Sequence, residues 1–544
     1  MNAPLQARPS SSPSLNETFA GKHIVATGVT GFLGKVWIAM LLDQLRDIKK
    51  LTLVIRGKKE QSAAERFQTI FESSPVFRPL REELGQELRD LMAEKVVVVE
   101  AKLVAPLCGL QPAEAKQMMS DVDVVVHFAG LTDFEPDPIF AIEANIHGAR
   151  HAADLAALSP AGRYVHVSTC FVAGLQSGEI PEHIEVGVSP TGVRFDPAEE
   201  IAILEEGIAK LEKKKDRIDF AIARGVRLGW PNIYTFSKGL SEHLLEARKD
   251  IRQTTFRPAI VECAQSYPFP GWNEGINTSG PIVWLLSSSF QRFPAKPNNH
   301  FDVVPVDTVS RCMVVVVAAA LRDEAKSIYH CASSQQNPLT FERAVELTGL
   351  GCRQTHAQSD DAFERNVLRR IDPVCYSPDR PQILGYARLR DMAKGLRGTL
   401  RRFDLEDSVS PKLYRKIDGK KRNEALKELS MNARTTDRKL TLVEDMLRQY
   451  RPFIHDLRYT FITQNLADAT NALSEEDARD FGFDIEDLCW RTYWLKVQIP
   501  GLEKWSIPLL RNEKVPEDPP LPPREVTPQL RAERPSEAPA RASA

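Results

Sequence analysis

Residues 24–34 read Ile-Val-Ala-Thr-Gly-Val-Thr-Gly-Phe-Leu-Gly. The apolar run Ile24–Ala26 meets three glycines, Gly28, Gly31 and Gly34, and Val36, Ile38, Met40, Leu41, Leu42 and Leu45 then recur with helical spacing. Strand, tight turn and helix in immediate succession leave few folds open. Glycine permits the turn and lets backbone approach a pyrophosphate, while the new helix aims its free N–H groups and positive dipole end at that anion. Gly28, Thr30, Gly31, Phe32, Leu33 and Gly34 are therefore the candidate phosphate-binding residues.

Further candidate strands lie at Leu51–Arg56, Val96–Glu100, Val122–Phe128, Tyr164–Ser168, Thr254–Arg257 and Tyr329–Ala332. Most are continuous apolar runs, as strands buried on both faces are. Their alternation with helical stretches predicts an α/β fold, a Rossmann-like doubly wound parallel sheet, over residues 20–344. A long insertion at about 175–230 interrupts it. There Asp196-Pro197 reads as a helix start with a capping box at Glu199, and Lys213–Lys215 fall near the helix end. The strand signal fades after residue 345, so residues 345–511 are expected to form a mainly helical C-terminal domain. Residues 1–19 and the Pro-rich stretch 512–544 read as disordered tails.

A net charge of −2 gives no reason to expect nucleic acid. The longest apolar run, Met313–Leu321, is too short to cross a membrane and reads as a buried helix. The first twenty residues lack the apolar stretch of a signal peptide. Eight cysteines without a C-x-x-C pair predict reduced thiols, a cytoplasmic setting and no metal cluster.

The second strand ends in Arg56, where a dinucleotide fold faces the adenosine ribose; a basic residue there pairs with a 2′-phosphate, so NADPH is the expected cofactor. The fourth strand ends His127-Phe128-Ala129-Gly130, and small Ala129 leaves room for a ligand at the sheet crevice. Asn145 on the next helix is placed to hold that helix or a water.

Tyr234 and Lys238 are four residues apart at the start of a helix and so share a face. A phenol with a pKa of about 10 is a poor proton donor at neutral pH; an adjacent ammonium is expected to lower it, so that Tyr234 protonates a carbonyl oxygen as hydride reaches carbon. The strand before Ser168-Thr169-Cys170 brings a hydroxyl to the same place, and strand alternation favours Thr169 over Ser168. Cys170 is a rival nucleophile, turned away if Thr169 faces in; its plain reading is a small buried hydrophobe.

Together these residues resemble the extended short-chain dehydrogenase/reductase family, and within it the alcohol-forming fatty acyl-CoA reductases. The matching segments include residues 27–36, His-Val-Ser-Thr-Cys-Phe-Val-Ala-Gly (166–174), Trp-Pro-Asn-Ile-Tyr-Thr-Phe-Ser-Lys (230–238), Phe-Arg-Pro-Ala-Ile-Val (256–261) and Pro-Phe-Pro-Gly-Trp (268–272). The resemblance spans roughly residues 20–508. It implies a Thr169–Tyr234–Lys238 triad, with Tyr234, Lys238, Pro258 and Ile260 also contacting the cofactor. It further implies reduction of a long-chain acyl-CoA or acyl carrier protein thioester by NADPH, through the aldehyde to the fatty alcohol, as in wax ester biosynthesis. One departure is Glu100-Ala101 where many relatives carry Gly-Asp, which leaves the adenine contact open. A nucleotide-sugar epimerase and a non-catalytic NADPH sensor are the rival readings; the long C-terminal region argues against the first and the intact triad against the second.

Residues 386–422 are strongly basic, with Leu389, Met392, Leu396 and Phe403 on one helical face. They read as a solvated helix or as a dock for coenzyme A phosphates, an acidic carrier protein or a membrane surface. Trp490, Tyr493, Trp494 and Trp505 read as core or as an acyl pocket lining. Oligomeric state stays open.

Overall fold

The structure, a computed structural model, describes residues 13–58, 60–276, 278–287, 292–360, 365–366, 368–377 and 448–515. The apolar runs form β1 (His23–Thr27), β2 (Lys50–Ile55), β3 (Val96–Glu100), β4 (Val124–His127), β5 (Arg163–Val167), β6 (Arg252–Pro258) and β7 (Ile328–Cys331). All pair in parallel, in the order β7-β6-β5-β4-β1-β2-β3. The chain order reverses between β1 and β4, so a crevice opens beyond the C-terminal ends of those two strands.

The flanking helices follow from the side chains they bury. α1 (Leu15–Phe19) precedes the sheet, followed by α2 (Phe32–Gln44), α3 (Ala63–Ser73), α4 (Gly148–Ala157), α5 (Pro197–Ala209), α6 (Lys214–Leu228), α7 (Ile233–Glu246) and α8 (Val306–Leu321). On one face α8 packs against α2; of its residues only Arg311 is not buried, which accounts for the apolar run at Met313–Leu321. On the other face Ala149, Ala152, Ala153 and Ala156 of α4 lie against Val25, Val125 and Tyr164. Small side chains there let the helix approach closely, and the Tyr164 hydroxyl donates to the Ala149 carbonyl at 3.0 Å.

Three expectations need correcting. Residues 14–19, read as part of a loose tail, form a capped helix: Ser14 and Glu17 make a capping box, Phe19 is buried, and the Leu15 amide donates to Asp477. In the insertion, Asp196 caps α5 as expected, accepting from the Glu199 amide at 2.8 Å, but Lys214 and Lys215 open α6 rather than close α5.

The third correction concerns the C-terminal region. The chain divides into two compact units, one of Met1–Val283, His300–Thr340 and Tyr459–Ala544, the other of Trp284–Asn299 and Phe341–Arg458. The expected domain 345–511 is thus split, because its last part completes the sheet unit. Tyr459–Phe461 pairs in parallel with Gly178–Ile180. The Gln498 amide donates to Glu262 and Ser279, both at 2.7 Å, and the Tyr493 hydroxyl to the Cys263 carbonyl at 2.7 Å. Trp490, Tyr493, Trp494 and Trp505 are all buried. In the second unit Arg292–Pro294 pairs with Val374–Tyr376 beside the helix Phe341–Ala357. The basic stretch 386–422 lies outside the described residues. Among the described residues no helix is long and apolar enough to cross a membrane.

Candidate active site

The glycine turn sits at the mouth of the crevice. Gly28 adopts φ +72°, and a Cβ there would lie 2.6 Å from Ala129 Cα and from the Phe128 carbonyl carbon. The ends of β1 and β4 therefore touch with no space for a side chain. At Gly34 a Cβ would lie 2.7 Å from Val29 Cα, so the third glycine seats α2 on the turn. Gly31 caps α2 without a side-chain hydrogen bond, and no acid stands in the first turn. Uncapped amides at a positive helix end suit a pyrophosphate. Phe32 stacks on Trp272 at 5.0 Å between ring centroids, and Lys35 pairs with Glu274, joining the start of α2 to the segment after β6. Pro258 ends β6, and Ile260 opens the short strand Ile260–Glu262 beside it.

Arg56 is exposed beyond β2. The structure adds a second cation that sequence reading missed. Arg66, in the first turns of α3, donates through Nη1 to the Arg56 carbonyl at 2.7 Å and through Nη2 to Thr30 Oγ1 at 3.2 Å. Burial and the nearby Arg56 charge hold its guanidinium below the usual pKa. Two cations beside the glycine turn suit a further anion. The sequence marks only where this helix starts, through the Ser62–Glu65 capping box. Glu100, the departure noted above, accepts from the Ala63 amide at 2.9 Å and so also fixes that helix start.

α7 carries Tyr234 and Lys238. Asn232 caps it, accepting from the Thr235 amide at 2.8 Å, and Trp230 packs where a Cβ on Gly239 would strike its ring. These contacts explain most of the 230–238 motif as the means of seating one helix. Tyr234 is half-buried, stacks on Phe134 at 6.1 Å and lies beside Thr169. Lys238 Nζ donates to the Val167 carbonyl at 2.8 Å. A Cβ on Gly130 would lie 3.3 Å from that Nζ and 3.1 Å from Asn145 Oδ1, so the strand-end loop is close to both. Asn145 accepts from the Leu131 amide at 2.7 Å and donates to the Leu131 carbonyl and to Ser237 Oγ, tying the loop to α7.

The electrostatics differ from the expectation. Burial pushes the Tyr234 phenol up to about 12, the neighbouring Thr169 hydroxyl pulls against it, and Lys238 is not among the groups that move it. Burial also brings the Lys238 ammonium down to about 8. At about 12 the phenol stays protonated at neutral pH and is a weaker acid than a free phenol, so the lowering expected from Lys238 is not found.

The two hydroxyls of β5's end separate cleanly. Thr169 caps the turn Cys170–Ala173 and meets Tyr234, whereas Ser168 points to the opposite face. Cys170 is fully buried and its thiol donates to the Arg257 carbonyl at 2.9 Å; burial pushes its pKa well above the ordinary range. A thiol so held is a poor nucleophile. Cys170→Ala is expected to keep kcat within about twofold, measured as cofactor oxidation with an acyl thioester; a loss approaching the general-acid range of about 10²-fold would restore the covalent route.

The family described as male sterility protein, an NAD-binding family, matches residues 26–313. A probable fatty acyl-CoA reductase 4 of Arabidopsis thaliana is 28% identical over 88% of this chain and 96% of its own length. The alcohol-forming fatty acyl-CoA reductase of Simmondsia chinensis is 31% identical over 61% of this chain and 71% of its own length. Among solved structures, the reductase domain of a Mycobacterium tuberculosis non-ribosomal peptide synthetase superposes with TM-score 0.49 at 16% identity, covering 91% of this chain and 94% of that one. A family match over more than half of the chain, on a parallel sheet whose crevice gathers a glycine turn, a tyrosine and a lysine, shows that the chain belongs to the fatty acyl-CoA reductases, oxidoreductases with a nicotinamide cofactor.

Proposed function

We propose that the protein reduces long-chain acyl thioesters of coenzyme A or a carrier protein with NADPH, through the aldehyde to the primary alcohol. The observation that carries this reading is the meeting of the Thr169 and Tyr234 side chains one helical turn from buried Lys238, at the crevice lined by Gly28 and Ala129. The turn Gly28–Gly34 holds the pyrophosphate, and Arg56 with Arg66 takes the 2′-phosphate. When bound, the cofactor supplies hydride to the acyl carbon.

Thr169 and Tyr234 hold the acyl oxygen, and Tyr234 gives it a proton as the carbon becomes tetrahedral. Collapse of the hemithioacetal breaks the carbon–sulfur bond, and the hydroxyl proton leaves with the thiol. The aldehyde then meets the same two residues and accepts a second hydride and a second proton. Two hydrides and two protons thus convert one thioester into one alcohol and one free thiol.

Gas-chromatographic analysis of the purified protein with palmitoyl-CoA and excess NADPH tests this directly. Hexadecanol is the expected product. Hexadecanal alone would restrict the reaction to its first half, and no turnover with either thioester class would overturn the proposal. The cofactor choice has its own check. Arg66→Ala is expected to raise the KM for NADPH by roughly 10–100-fold, since a charged hydrogen bond is worth about 1.5–3 kcal/mol, and to leave NADH kinetics nearly unchanged. Equal effects on both cofactors would remove Arg66 from phosphate recognition.

A further inference from the structure

β3 is the outermost strand of the sheet next to β2, and Glu100 is its last residue. In register Glu100 stands opposite Ile55, the residue before Arg56. Its side chain is exposed and reaches across to the start of α3, where Oε2 accepts from the Ala63 amide at 2.9 Å. The same carboxylate lies against Gly57: a Cβ there would stand 2.8 Å from Oε1 and 3.0 Å from Oε2. Glu100 therefore fills the corner between the backbone that follows Arg56 and the first residue of α3.

A helix aims a side chain only when its rotation and its position along its own axis are both set. Rotation follows from the apolar stripe Ala63, Phe67 and Phe71, buried at helical spacing. Phe71 also packs on Phe77 at 5.3 Å between ring centroids. Position is set at the first turn. The Ser62–Glu65 capping box satisfies the Ser62 and Glu65 amides, and the Ala63 amide, which the box leaves over, goes to Glu100. Arg66 stands just beyond that turn, bonded to the Arg56 carbonyl and to Thr30 Oγ1. A helix start free to slide would carry its guanidinium away from both.

We propose that Glu100 is a positioning residue for recognition of the cofactor's 2′-phosphate: it pins α3 to the end of β2, so that Arg66 meets the phosphate beside Arg56. This rests on the NADPH reading above. A carboxylate near the adenosine ribose ordinarily accepts from the 2′-hydroxyl and favours the unphosphorylated cofactor. Glu100 is committed elsewhere. It faces the positive end of α3, where a negative charge is stabilised, and its bond to Ala63 serves the cation that reads the phosphate. The acid at the end of β3 thus supports the phosphorylated cofactor without touching it.

Isothermal titration of the full chain with adenosine 2′,5′-bisphosphate and with adenosine 5′-monophosphate reads the adenosine end without turnover. The wild type is expected to favour the bisphosphate. Glu100→Ala should weaken the bisphosphate about tenfold and leave the monophosphate within about twofold. Glu100→Gln keeps an acceptor for the Ala63 amide and should retain most of the wild-type preference. In an Arg66→Ala background, Glu100→Ala should change neither affinity further, because it acts through Arg66. Equal weakening of both ligands, a loss that persists without Arg66, or a gain in bisphosphate affinity would overturn the proposal. So would a Glu100→Ala protein with unchanged affinities beside a wild type that prefers the bisphosphate, a result that leaves the NADPH reading standing. A wild type indifferent to the extra phosphate would remove both.

Discussion

Tyr234→Phe should lower kcat by roughly 10²–10⁴-fold, the range a positioned general acid contributes. That corresponds to about 3–5 kcal/mol of lost transition-state stabilisation. The change removes one oxygen and little else. The ring keeps its stack on Phe134, α7 keeps its Asn232 cap, and Thr169 keeps its bond from the Phe171 amide. Melting temperature and NADPH affinity should therefore match the wild type, with the loss confined to turnover. Steady-state rates with palmitoyl-CoA and with hexadecanal should fall together, since one phenol serves both steps. A variant that retains most of its turnover would mean that a different group protonates the oxygen.

The second large effect is expected at Gly28. An alanine there must hold φ +72°, a region L side chains rarely adopt, and must place Cβ 2.6 Å from the backbone of Ala129. Backbone cannot swing aside as a side-chain tip can, so β1 and β4 would have to part at the crevice. NADPH affinity should fall by about 100-fold or more in a fluorescence titration, beyond what about 2.7 kcal/mol would repair. Gly85→Ala is the matched control. Gly85 has φ +51° with open space around a Cβ, so it should cost only the conformational penalty of about 1–2 kcal/mol in stability and leave the nucleotide affinity alone. Unchanged affinity in Gly28→Ala would mean that the turn does not hold the cofactor.

The sheet was legible because its strands are buried on both faces and read as unbroken apolar runs; each of the seven expected strands is present. Tyr234 and Lys238 were legible because a helix enforces their spacing, and Thr169 because strand alternation separates it from Ser168. Arg66 was not, because its relation to Arg56 and Thr30 depends on how α3 folds back over the end of β2. The phenol's environment was equally hidden: spacing puts an amine one turn away, but burial by other elements decides which way the pKa moves. The fate of residues 459–511 depended on pairings nearly 300 positions apart, such as Tyr459 with Gly178, which no local pattern encodes.

That last pairing bears on how the protein is made. After β7 leaves the ribosome, the short strand at Gly178–Ile180 still has no mate, and the buried Glu262 carboxylate lacks its Gln498 donor. At 5–20 residues per second, the stretch from Cys331 to Tyr459 takes on the order of ten seconds to synthesise. Through that interval the nascent sheet keeps an open flank, so termination at residue 344, after all seven strands of the main sheet, should yield an insoluble fragment rather than a minimal reductase.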